Sequence, residues 1–460
     1  MKNVLAYCRP WNADTFTRVT KASFEDANVV VVSEHLGVDQ TGYADSLSRH
    51  PSDSVTTGEL FTEGSIRDVV ARCRYLRSVN FEMACGLVER SFYEFELVLS
   101  KVAPLAVVSL TVDSYHLHVL ALLCEKKGIP FIGLVPSFVP GFFRLSNFGP
   151  SLLTRDVSDE EVDQLYAKLT EPKFLPDYVS GAVRYPWKTV LKERVKQVAR
   201  ILLFSTLGCI LPRYRTYHYL QARSVSRLNL GSIVKHVRGR HRDGAASNFM
   251  AAVEYGLLTK CGHDPKVFLP LQYFPESTVD YWVDDLAFVD YYNALFSLIE
   301  SGVSTEWLVK EHPAARGGRP RGFLKALGAL SRVTFIDSQL PISESLKGVD
   351  AVFVWTGTVG VEAALRGLPV ICAGEPWYFD SRFMINVVDA KLNSGDVVDT
   401  LLKIDGASVQ LRKEFLKGVL SKVLPGRFDV QRDSRRVMGS DDIKQIAHWI
   451  GVYYESYFTK

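Results

Sequence analysis

The first half of the chain alternates short apolar runs with helical patterns. The apolar runs are bounded by polar residues, as in buried strands, and the helical stretches repeat apolar side chains every three or four positions. A strand, a helix that ends at Gly128 and a second strand follow one another, which indicates a parallel sheet. The predicted strands are 4–8, 29–33, 105–112 and 131–135, and the predicted helices are 80–102 and 115–127.

The same alternation returns after a basic segment in the middle of the chain. It predicts strands at 267–271, 305–309, 333–336, 351–355 and 370–372, with helices at 283–301, 323–330, 359–366 and 440–458. We therefore expect an α/β protein with two Rossmann-like domains facing a central cleft, and a C-terminal helix that returns to the first domain. The expected ranges are 1–180 for the first domain, 181–245 for the basic linker, 246–435 for the second domain and 436–460 for the return helix.

Length and composition fit a multidomain soluble protein. The chain has 460 residues, of which 47% are hydrophobic and 23% charged, and its seven cysteines form no CxxC pair. Disulfide and metal sites are therefore disfavoured, and a reducing cytoplasm is expected. The N-terminus shows no signal-peptide pattern, and the apolar run 201–211 is about half as long as a bilayer-spanning helix.

The basic segment 184–242 contains fourteen Lys or Arg residues and one acidic residue, Glu193. Lysines at four-residue spacing, interleaved with valine and leucine, predict a basic amphipathic helix. One interpretation is peripheral contact with anionic lipid on the inner face of the cytoplasmic membrane. The other is a solvated helix face, or a basic wall that faces an anionic substrate. Nucleic acid is disfavoured because no recognised nucleic-acid module accompanies the segment.

Two segments of the second half predict an anion site. Lys310 and His312 follow a predicted strand, and the turn 356–360, rich in Gly and Thr, lies between a strand and a helix. Backbone N–H groups at a helix N-terminus favour phosphate, and a Lys and a His add charge and hydrogen bonds. Glu311 points the other way and is expected to be structural.

The ordered set 271–278, 310–313, 356–363 and 367–370 resembles the capsular polysaccharide biosynthesis family. That family includes retaining β-Kdo glycosyltransferases of capsule and O-antigen assembly, which have the GT-B fold and use CMP-Kdo. The His-Pro pair is also similar to that of bacterial sialyltransferases, which use CMP-sialic acid. The resemblance covers 267–378 well and implies a cytoplasmic glycosyltransferase that acts on capsule or lipopolysaccharide glycans.

The resemblance also implies roles for individual residues. Glu276 stands where the family usually has an aspartate nucleophile, and it is one methylene longer. His312 and Lys310 would stabilise the departing phosphate, and Glu362 would hold ribose hydroxyls. Each residue also has a structural alternative. His312 and Glu276 would cap the turn or helix that follows them, the Gly and Thr residues would allow tight strand–helix packing, and Lys310 would be a surface lysine. The expected donor-binding residues are Gln272, Ser277, Lys310, His312, Pro313, Thr356, Gly357, Thr358, Gly360 and Glu362.

The first domain is expected to bind the acceptor. Asp113, at the end of a strand, would supply an acid or base, or else cap the following helix. Glu34 ends another strand. Ser137 and Arg144 lie in a loop with exposed aromatic residues, which would stack on sugar faces, or which is simply a packed connection.

No acidic metal-binding motif lies at a strand end, because Asp284 and Asp285 fall inside a predicted helix. The expected enzyme therefore requires no metal and no cofactor beyond its nucleotide-sugar substrate. Three alternatives remain open: the same fold with a UDP- or GDP-hexose donor, a nucleotide-sugar epimerase, and a non-catalytic glycan-binding assembly protein.

Overall fold

The structure is a computed structural model with two compact units. The first unit comprises 1–154, 192–226 and 423–460, and the second comprises 155–191 and 227–422. The residues that the structure describes are 2–49, 61–172, 174, 195, 199, 216, 218, 262–273, 277–283, 285–301, 304–312, 315, 319, 322–387, 408–428 and 438–459.

The first unit is built on a six-stranded sheet with the order β12-β5-β4-β3-β1-β2. The pairs between β4, β3, β1 and β2 are parallel, whereas β5 and β12 add an antiparallel edge. The strands are β1 (Asn3–Tyr7), β2 (Asn28–Val32), β3 (Pro104–Leu110), β4 (Phe131–Pro136), β5 (Phe142–Leu145) and β12 (Leu424–Pro425).

Helices of the first unit cover this sheet. Asn80 caps α4 by accepting the N–H of Met83 at 2.7 Å, and Gly128 ends α5 in the left-handed conformation that its sequence position predicts. The C-terminal helix α14 packs on α1, as expected. The helices are α1 (Ala13–Ser23), α2 (Tyr43–Arg49), α3 (Glu63–Arg72), α4 (Phe81–Val102), α5 (Tyr115–Lys127) and α14 (Ser440–Tyr457), with a 3-10 turn at Leu76–Ser78.

The second unit contains a fully parallel six-stranded sheet with the order β11-β10-β9-β6-β7-β8. Its strands are β6 (Lys266–Pro270), β7 (Glu306–Lys310), β8 (Val333–Ile336), β9 (Ala351–Val354), β10 (Val370–Cys372) and β11 (Met384–Asn386). Its helices are α6 (Asp159–Thr170), α7 (Ser277–Asp280), α8 (Leu286–Val289), α9 (Tyr291–Ser301), α10 (Phe323–Leu327), α11 (Ile342–Ser345), α12 (Val359–Ala364) and α13 (Val409–Ser421).

Both sheets confirm the predicted α/β class with two Rossmann-like units. In each sheet the first strand of the unit lies inside the sheet, with later strands on both sides of it. The point at which the chain changes sides falls between β1 and β3 in the first unit and between β6 and β9 in the second. Ligands of such sheets bind outside the carboxyl ends of the strands at this switch point.

One local prediction is wrong. The predicted helix 283–301 is two helices, because the chain bends at Asp290, which separates α8 from α9. Of the two alternatives for the loop around 137–144, the structure supports the packed connection: Phe138 and Phe143 are buried, and the segment continues into strand β5. Gly141, at φ +84°, makes the turn before β5.

The ranges of the compact units differ from those expected for the domains. The first stretch of the first unit ends at 154 rather than 180, and residues 192–226 of the expected linker belong to the same unit. Among the residues that the structure describes, no helix is long and apolar enough to cross a membrane.

Gly133 in β4 provides a test of the close approach between this strand and residue 146. A Cβ at this position would lie 2.3 Å from the carbonyl oxygen of Ser146, which is backbone and cannot rotate away. We expect Gly133→Ala to lower the free energy of unfolding by about 2–3 kcal/mol. The measurement is urea-induced unfolding of the variant and of the native protein.

The matched control is Gly86→Ala in α4, where an added Cβ meets no heavy atom within 4 Å. Because alanine is the better helix former, this change should raise the free energy of unfolding by about 0.5–1 kcal/mol. Equal effects of the two substitutions would contradict the close approach of β4 to residue 146.

Candidate active site

Three strand ends of the second unit meet at its switch point. Strand β6 pairs with both β7 and β9, so the carboxyl ends of all three lie at one edge of the sheet. Gln272 follows β6, Lys310 ends β7, and Gly357 follows β9. A Cβ on Gly357 would lie 2.9 Å from the Gln272 side-chain oxygen, so these two segments are in contact. The structure thus brings the predicted donor-site segments together.

Lys310 is buried, with 4% of its surface exposed. Its Nζ donates to the carbonyl oxygen of Ser338 at 3.0 Å. Burial lowers the pKa of Lys310, and the carboxylates of Asp337, Glu362 and Glu311 oppose that shift. A cation that has lost water in this way interacts strongly with an incoming anion.

Glu362 lies in the first turn of α12 and is 6% exposed. Burial raises the pKa of this carboxyl to about 7, although Arg366 and Lys310 pull it down. The carboxyl is therefore partly protonated at neutral pH and can donate as well as accept a hydrogen bond.

His312 is neutral at neutral pH. Burial, together with the positive charges of Arg319 and Lys310, lowers its pKa to about 4. The imidazole lies against the ring of Tyr273, with centroids 5.3 Å apart. The expectation that this histidine adds positive charge is thus wrong for the unliganded protein, and an N–H hydrogen bond is what it offers to a phosphate.

Arg319 is a site residue that sequence reasoning missed. Its Nη2 donates to Glu311 at 2.8 Å and to the carbonyl oxygen of Gln272 at 2.7 Å. It therefore ties the end of β7 to the end of β6. Glu311 has the structural role predicted for it, and its carboxylate also accepts the backbone N–H of His312 at 2.7 Å. A carboxylate at a buried strand end was a signal that a cation lies near.

The turn after β9 is held mainly by packing. Thr356 is 3% exposed, and its hydroxyl donates to the carbonyl oxygen of Thr278 at 3.0 Å. A Cβ on Gly360 would lie 2.6 Å from the Tyr378 hydroxyl, which itself donates to the carbonyl oxygen of Gly357. These contacts require the same Thr and Gly residues that a phosphate site would.

The helix after this turn offers fewer backbone N–H groups to a phosphate than expected. Helix α12 has six residues, and the N–H groups of Gly360 and Val361 already donate to the carbonyl oxygens of Gly357 and Thr358. Thr358 occupies the N-cap position of α12 without a side-chain capping bond and is partly exposed. Its hydroxyl is thus the better placed of the two threonines to meet a ligand.

Two residues of the predicted site, Glu276 and Pro313, lie outside the described residues. Their predicted roles remain predictions. Ser277 begins α7, where its carbonyl oxygen accepts the N–H of Tyr281 at 2.8 Å. Among the residues that the structure describes, no group of three or more His, Cys, Asp or Glu could hold a metal ion.

In the first unit, Asp113 and Glu34 converge on Arg9, a second residue that sequence reasoning missed. The guanidinium donates to both oxygens of Asp113, at 2.7 and 2.8 Å, and to Glu34 at 2.9 Å. Burial would raise the pKa of Glu34, but His116 and Arg9 outweigh it and lower that pKa to about 2. Ser114, not Asp113, caps α5.

Three residues predicted to contact the acceptor have other partners. Glu34 is fully buried in the Arg9 cluster. Arg144, 1% exposed, donates to the carbonyl oxygen of Gly149 at 2.8 Å, and burial lowers its pKa to about 9. The Ser137 hydroxyl accepts the N–H of Val139 at 3.1 Å within its turn. The predicted direct contact therefore does not match where the structure places Glu34 and Arg144, since both side chains lie inside the unit.

The opposite pKa shifts of Glu362 and His312 generate a pH prediction. Folded Glu362 keeps its proton up to about pH 7, whereas the unfolded chain releases it near 4.5, so its stabilising effect is lost as pH rises. Folded His312 stays neutral down to about pH 4, whereas the unfolded chain binds a proton near 6.5, so its effect is lost as pH falls. Between 4.5 and 6.5 the two effects oppose each other.

Single substitutions should separate them. As pH rises from 4.5 to 7, the free energy of unfolding of Glu362→Gln should rise relative to that of the native protein. As pH rises from 4 to 6.5, the free energy of unfolding of His312→Asn should fall relative to that of the native protein. Each difference should reach about 3 kcal/mol. The measurement is the urea midpoint of each variant minus that of the native protein at each pH. Two flat difference curves would contradict the burial of these groups.

Comparisons with known proteins agree with the expected family. Residues 172–380 match the family model described as "Capsule polysaccharide biosynthesis protein". The capsule polysaccharide modification protein LipA of Neisseria meningitidis serogroup B is 36% identical over 70 residues, 15% of this chain. The match spans only 10% of the length of that curated relative.

Solved structures give weak likenesses. The β-Kdo 2,7 transferase KpsC of Thermosulfurimonas dismutans is 12% identical, with a TM-score of 0.36 over 98% of this chain and 100% of that one. The UDP-GlcNAc 2-epimerase of Methanocaldococcus jannaschii, in complex with UDP-GlcNAc and UDP, is 11% identical, with a TM-score of 0.26 over 98% and 100%. Such scores support no conclusion about function. The resemblance of this chain to the capsular polysaccharide biosynthesis family is confirmed by the family model, which contains the whole second-unit site.

Proposed function

We propose that this protein is a glycosyltransferase of bacterial capsule or surface-polysaccharide assembly. It transfers Kdo or a related ulosonic acid from a CMP-linked donor to a glycan or glycolipid acceptor. The family match supports the process, and the second-unit site supports the chemistry. The observation that carries the proposal is the buried cation Lys310 beside Glu362 at the switch point of a parallel sheet.

The site suits the departure of a nucleotide. When the bond from the sugar to the phosphate breaks, negative charge grows on the phosphate, and a preorganised buried cation stabilises that charge more than water does. Lys310 supplies the charge, and neutral His312 supplies an N–H donor. Glu362 binds ribose hydroxyls. Because Lys310 carries the positive charge, the proposed reaction needs no divalent cation.

The covalent step uses Glu276, as the resemblance implies. Its carboxylate bonds to the anomeric carbon as CMP leaves, and an acceptor hydroxyl then displaces the carboxylate and gives its proton to a base. Two inversions at one carbon give net retention of configuration. Asp113 is the proposed acid or base, and its ion pair with Arg9, at 2.7 Å, fixes the position of its carboxyl group.

The first prediction of the proposal concerns Lys310. We expect CMP, without Mg²⁺, to raise the melting temperature of the protein by a few degrees, because a ligand that binds only the folded state stabilises it. Lys310→Ala should abolish this shift. It should also reduce the rate of CMP release from CMP-Kdo, in the presence of capsule oligosaccharide, by about 10²–10³-fold.

The control is Lys325→Ala, which removes an exposed lysine of α10 and should change neither quantity. A shift with UDP or GDP instead of CMP would replace the proposed donor by a hexose nucleotide. Interconversion of a UDP-sugar without transfer would indicate an epimerase. No shift with CMP, CDP, UDP or GDP would overturn the enzyme and leave a glycan-binding protein.

Peripheral membrane contact is the second part of the proposal. In the basic segment the structure describes only 195, 199, 216 and 218. Val195 is 61% exposed, whereas Thr216 and His218 are buried in the first unit. We propose that the amphipathic stretch around 188–200, which the lysine spacing predicts, contacts lipid on the inner face of the cytoplasmic membrane.

We expect the protein to float with vesicles that contain phosphatidylglycerol and not with vesicles of phosphatidylcholine alone. Replacement of Lys188, Lys192 and Lys196 by Gln should weaken binding about hundredfold, since each lysine near an anionic surface contributes about 1 kcal/mol. Equal flotation of the native and the triple-variant protein would place the membrane contact elsewhere.

A further inference from the structure

The sheet of the second unit has two edge strands that differ in exposure. At one edge, β11 is buried along its whole length. At the other edge, β8 has two exposed and two half-buried residues, and among the described residues it pairs with β7 alone. The free edge of such a strand presents unpaired N–H and C=O groups, to which a further strand can add. Strand β8 is therefore a candidate interaction surface.

The sequence of β8 favours pairing at this edge. Its residues are Val, Thr, Phe and Ile, each of them β-branched or aromatic. Exposed edge strands usually carry a lysine, a proline or a bulge, which prevents them from pairing with another chain. Strand β8 contains no lysine or proline, and its register with β7 is regular from Val333 to Ile336. The strand thus lacks the usual protection against association.

Two apolar side chains extend this surface beyond the backbone edge. Phe335 of β8 is 41% exposed, and Leu324 of α10 is 39% exposed. Both border Gly328, since a Cβ added there would lie 3.1 Å from the Phe335 ring and 3.3 Å from the Leu324 carbonyl oxygen. The Phe335 ring therefore lies beside the end of α10, on the same face of the sheet as that helix. A strand added to β8 would cover this ring together with the open edge.

The pairing of β8 with β7 determines which backbone groups point outward. The N–H of Trp307 donates to the carbonyl oxygen of Arg332 at 2.8 Å, and Trp307 lies opposite Val333 in the register. Successive residues of a strand direct their N–H and C=O groups to opposite edges. The backbone groups of Thr334 therefore point to β7, whereas those of Val333 and Phe335 point away from the sheet.

A second copy of this chain has the backbone pattern that this edge requires. Two identical edges related by a twofold axis run antiparallel. With outward groups on Val333 and Phe335, each Val333 bonds to Phe335 of the partner subunit, and Thr334 lies opposite Thr334 of the partner subunit. Aromatic with β-branched residues, and threonine with threonine, are favourable cross-strand pairs. The neighbouring registers would instead place Val333 opposite the partner's Asp337, or Phe335 opposite the partner's Ser331.

The charges at the two ends of β8 also favour the antiparallel arrangement. Arg332 precedes the strand and Asp337 follows it, and both are exposed. Two antiparallel copies bring Arg332 of each chain to the end at which the other chain has Asp337, whereas parallel copies would bring like charges together. Arg332 also pairs with Asp264 at 2.6 Å, in an ion pair that stays in contact with solvent. A second copy therefore matches this edge both in its backbone groups and in its charge.

We propose that the protein forms a twofold dimer in which two β8 strands pair antiparallel and join the two second-unit sheets into one. Val333 exchanges both backbone hydrogen bonds with Phe335 of the partner subunit, and the twofold axis passes between the two Thr334 residues. The paired strand ends two residues before Ser338, whose carbonyl oxygen accepts the hydrogen bond of Lys310 at 3.0 Å. Because the contact is short, the dimer is weak and depends on protein concentration. The inference goes beyond the proposed function and does not depend on it.

Association is tested by sedimentation velocity of the full chain over a series of protein concentrations. We expect the mass of a dimer at high concentration. Phe335→Lys should raise the dissociation constant about tenfold or more, because a lysine on an edge strand opposes pairing. Leu97→Lys is the matched control. Leu97 is an equally apolar, 48% exposed residue on α4 of the first unit, so this variant should associate as the native protein does.

Single cysteines test the register. The two Thr334 residues form a pair without backbone hydrogen bonds between them, with Cα atoms about 4.5 Å apart. The two Phe335 residues lie two positions out of register, too far apart for a disulfide. Under mild oxidation, Thr334→Cys should therefore form a covalent dimer about tenfold faster than Phe335→Cys. The native chain, in which Cys85 is partly exposed, gives the background rate.

A monomer at every concentration would overturn the dimer, and so would equal weakening by Phe335→Lys and Leu97→Lys. Faster cross-linking through Phe335→Cys than through Thr334→Cys would overturn the proposed register. If Phe335→Lys also lowers the melting temperature, the cysteine variants decide, because they report the contact in a folded protein. Failure of the proposed function is distinguishable, since it appears as the absence of nucleotide-induced stabilisation and leaves the mass of the protein unchanged.

Discussion

Each unit depends on one buried arginine at the carboxyl edge of its sheet. In the first unit, Arg9 follows β1 and neutralises carboxylates that follow β2 and β3. In the second, Arg319 pairs with the carboxylate after β7 and binds the carbonyl oxygen after β6. A carboxylate buried without such a partner would destabilise the fold by several kcal/mol, and a guanidinium can serve two strand ends at once. The two arginines thus join loops that the sheet ladders leave unconnected, and they fix the frame on which the candidate sites are built.

The group of residues around Arg9 and the group around Lys310 differ in charge, so they favour different ligands. Around Arg9 the described carboxylates are Glu34 and Asp113, and the former stays ionised down to about pH 2 because its pKa is lowered. Because Glu34 is fully buried and Asp113 is 11% exposed, Asp113 is the carboxylate of this pair that can meet a ligand. Around Lys310, burial removes water from the ionisable groups, and the neighbouring opposite charges only partly offset this loss. The pKa of the lysine is therefore lowered and that of Glu362 is raised. Such a site is stabilised by an anion that arrives with the ligand.

Much of this frame could be predicted from the sequence, because parallel strands and their helices leave periodic apolar patterns. The Lys310, His312 and Thr356–Gly360 segments lie at one sheet edge, as their position after strands implied. The partners of these residues could not be predicted. Arg319 is one of three arginines in a stretch rich in Gly and Pro, and Arg9 lies more than a hundred positions from Asp113. Pairing over such distances depends on strand order, which local periodicity does not contain. The strand that contains Phe143 was not predicted for the same reason, since it pairs with residues 424–425.

Under the proposed function, the protonation of the second-unit site would let one cluster bind a nucleotide phosphate and then release it. Without ligand, His312 is neutral and Glu362 is partly protonated, and burial lowers the pKa of Lys310. A phosphate that binds there favours the charged form of Lys310 and also raises the proton affinity of His312, because both respond to the same negative charge. The site therefore gains positive charge as the leaving phosphate gains negative charge. Once such a phosphate had left, burial would again favour the neutral imidazole, and the proton that it took up would return to water. The same desolvation that lowers the pKa of Lys310 and His312 would thus favour both binding and release.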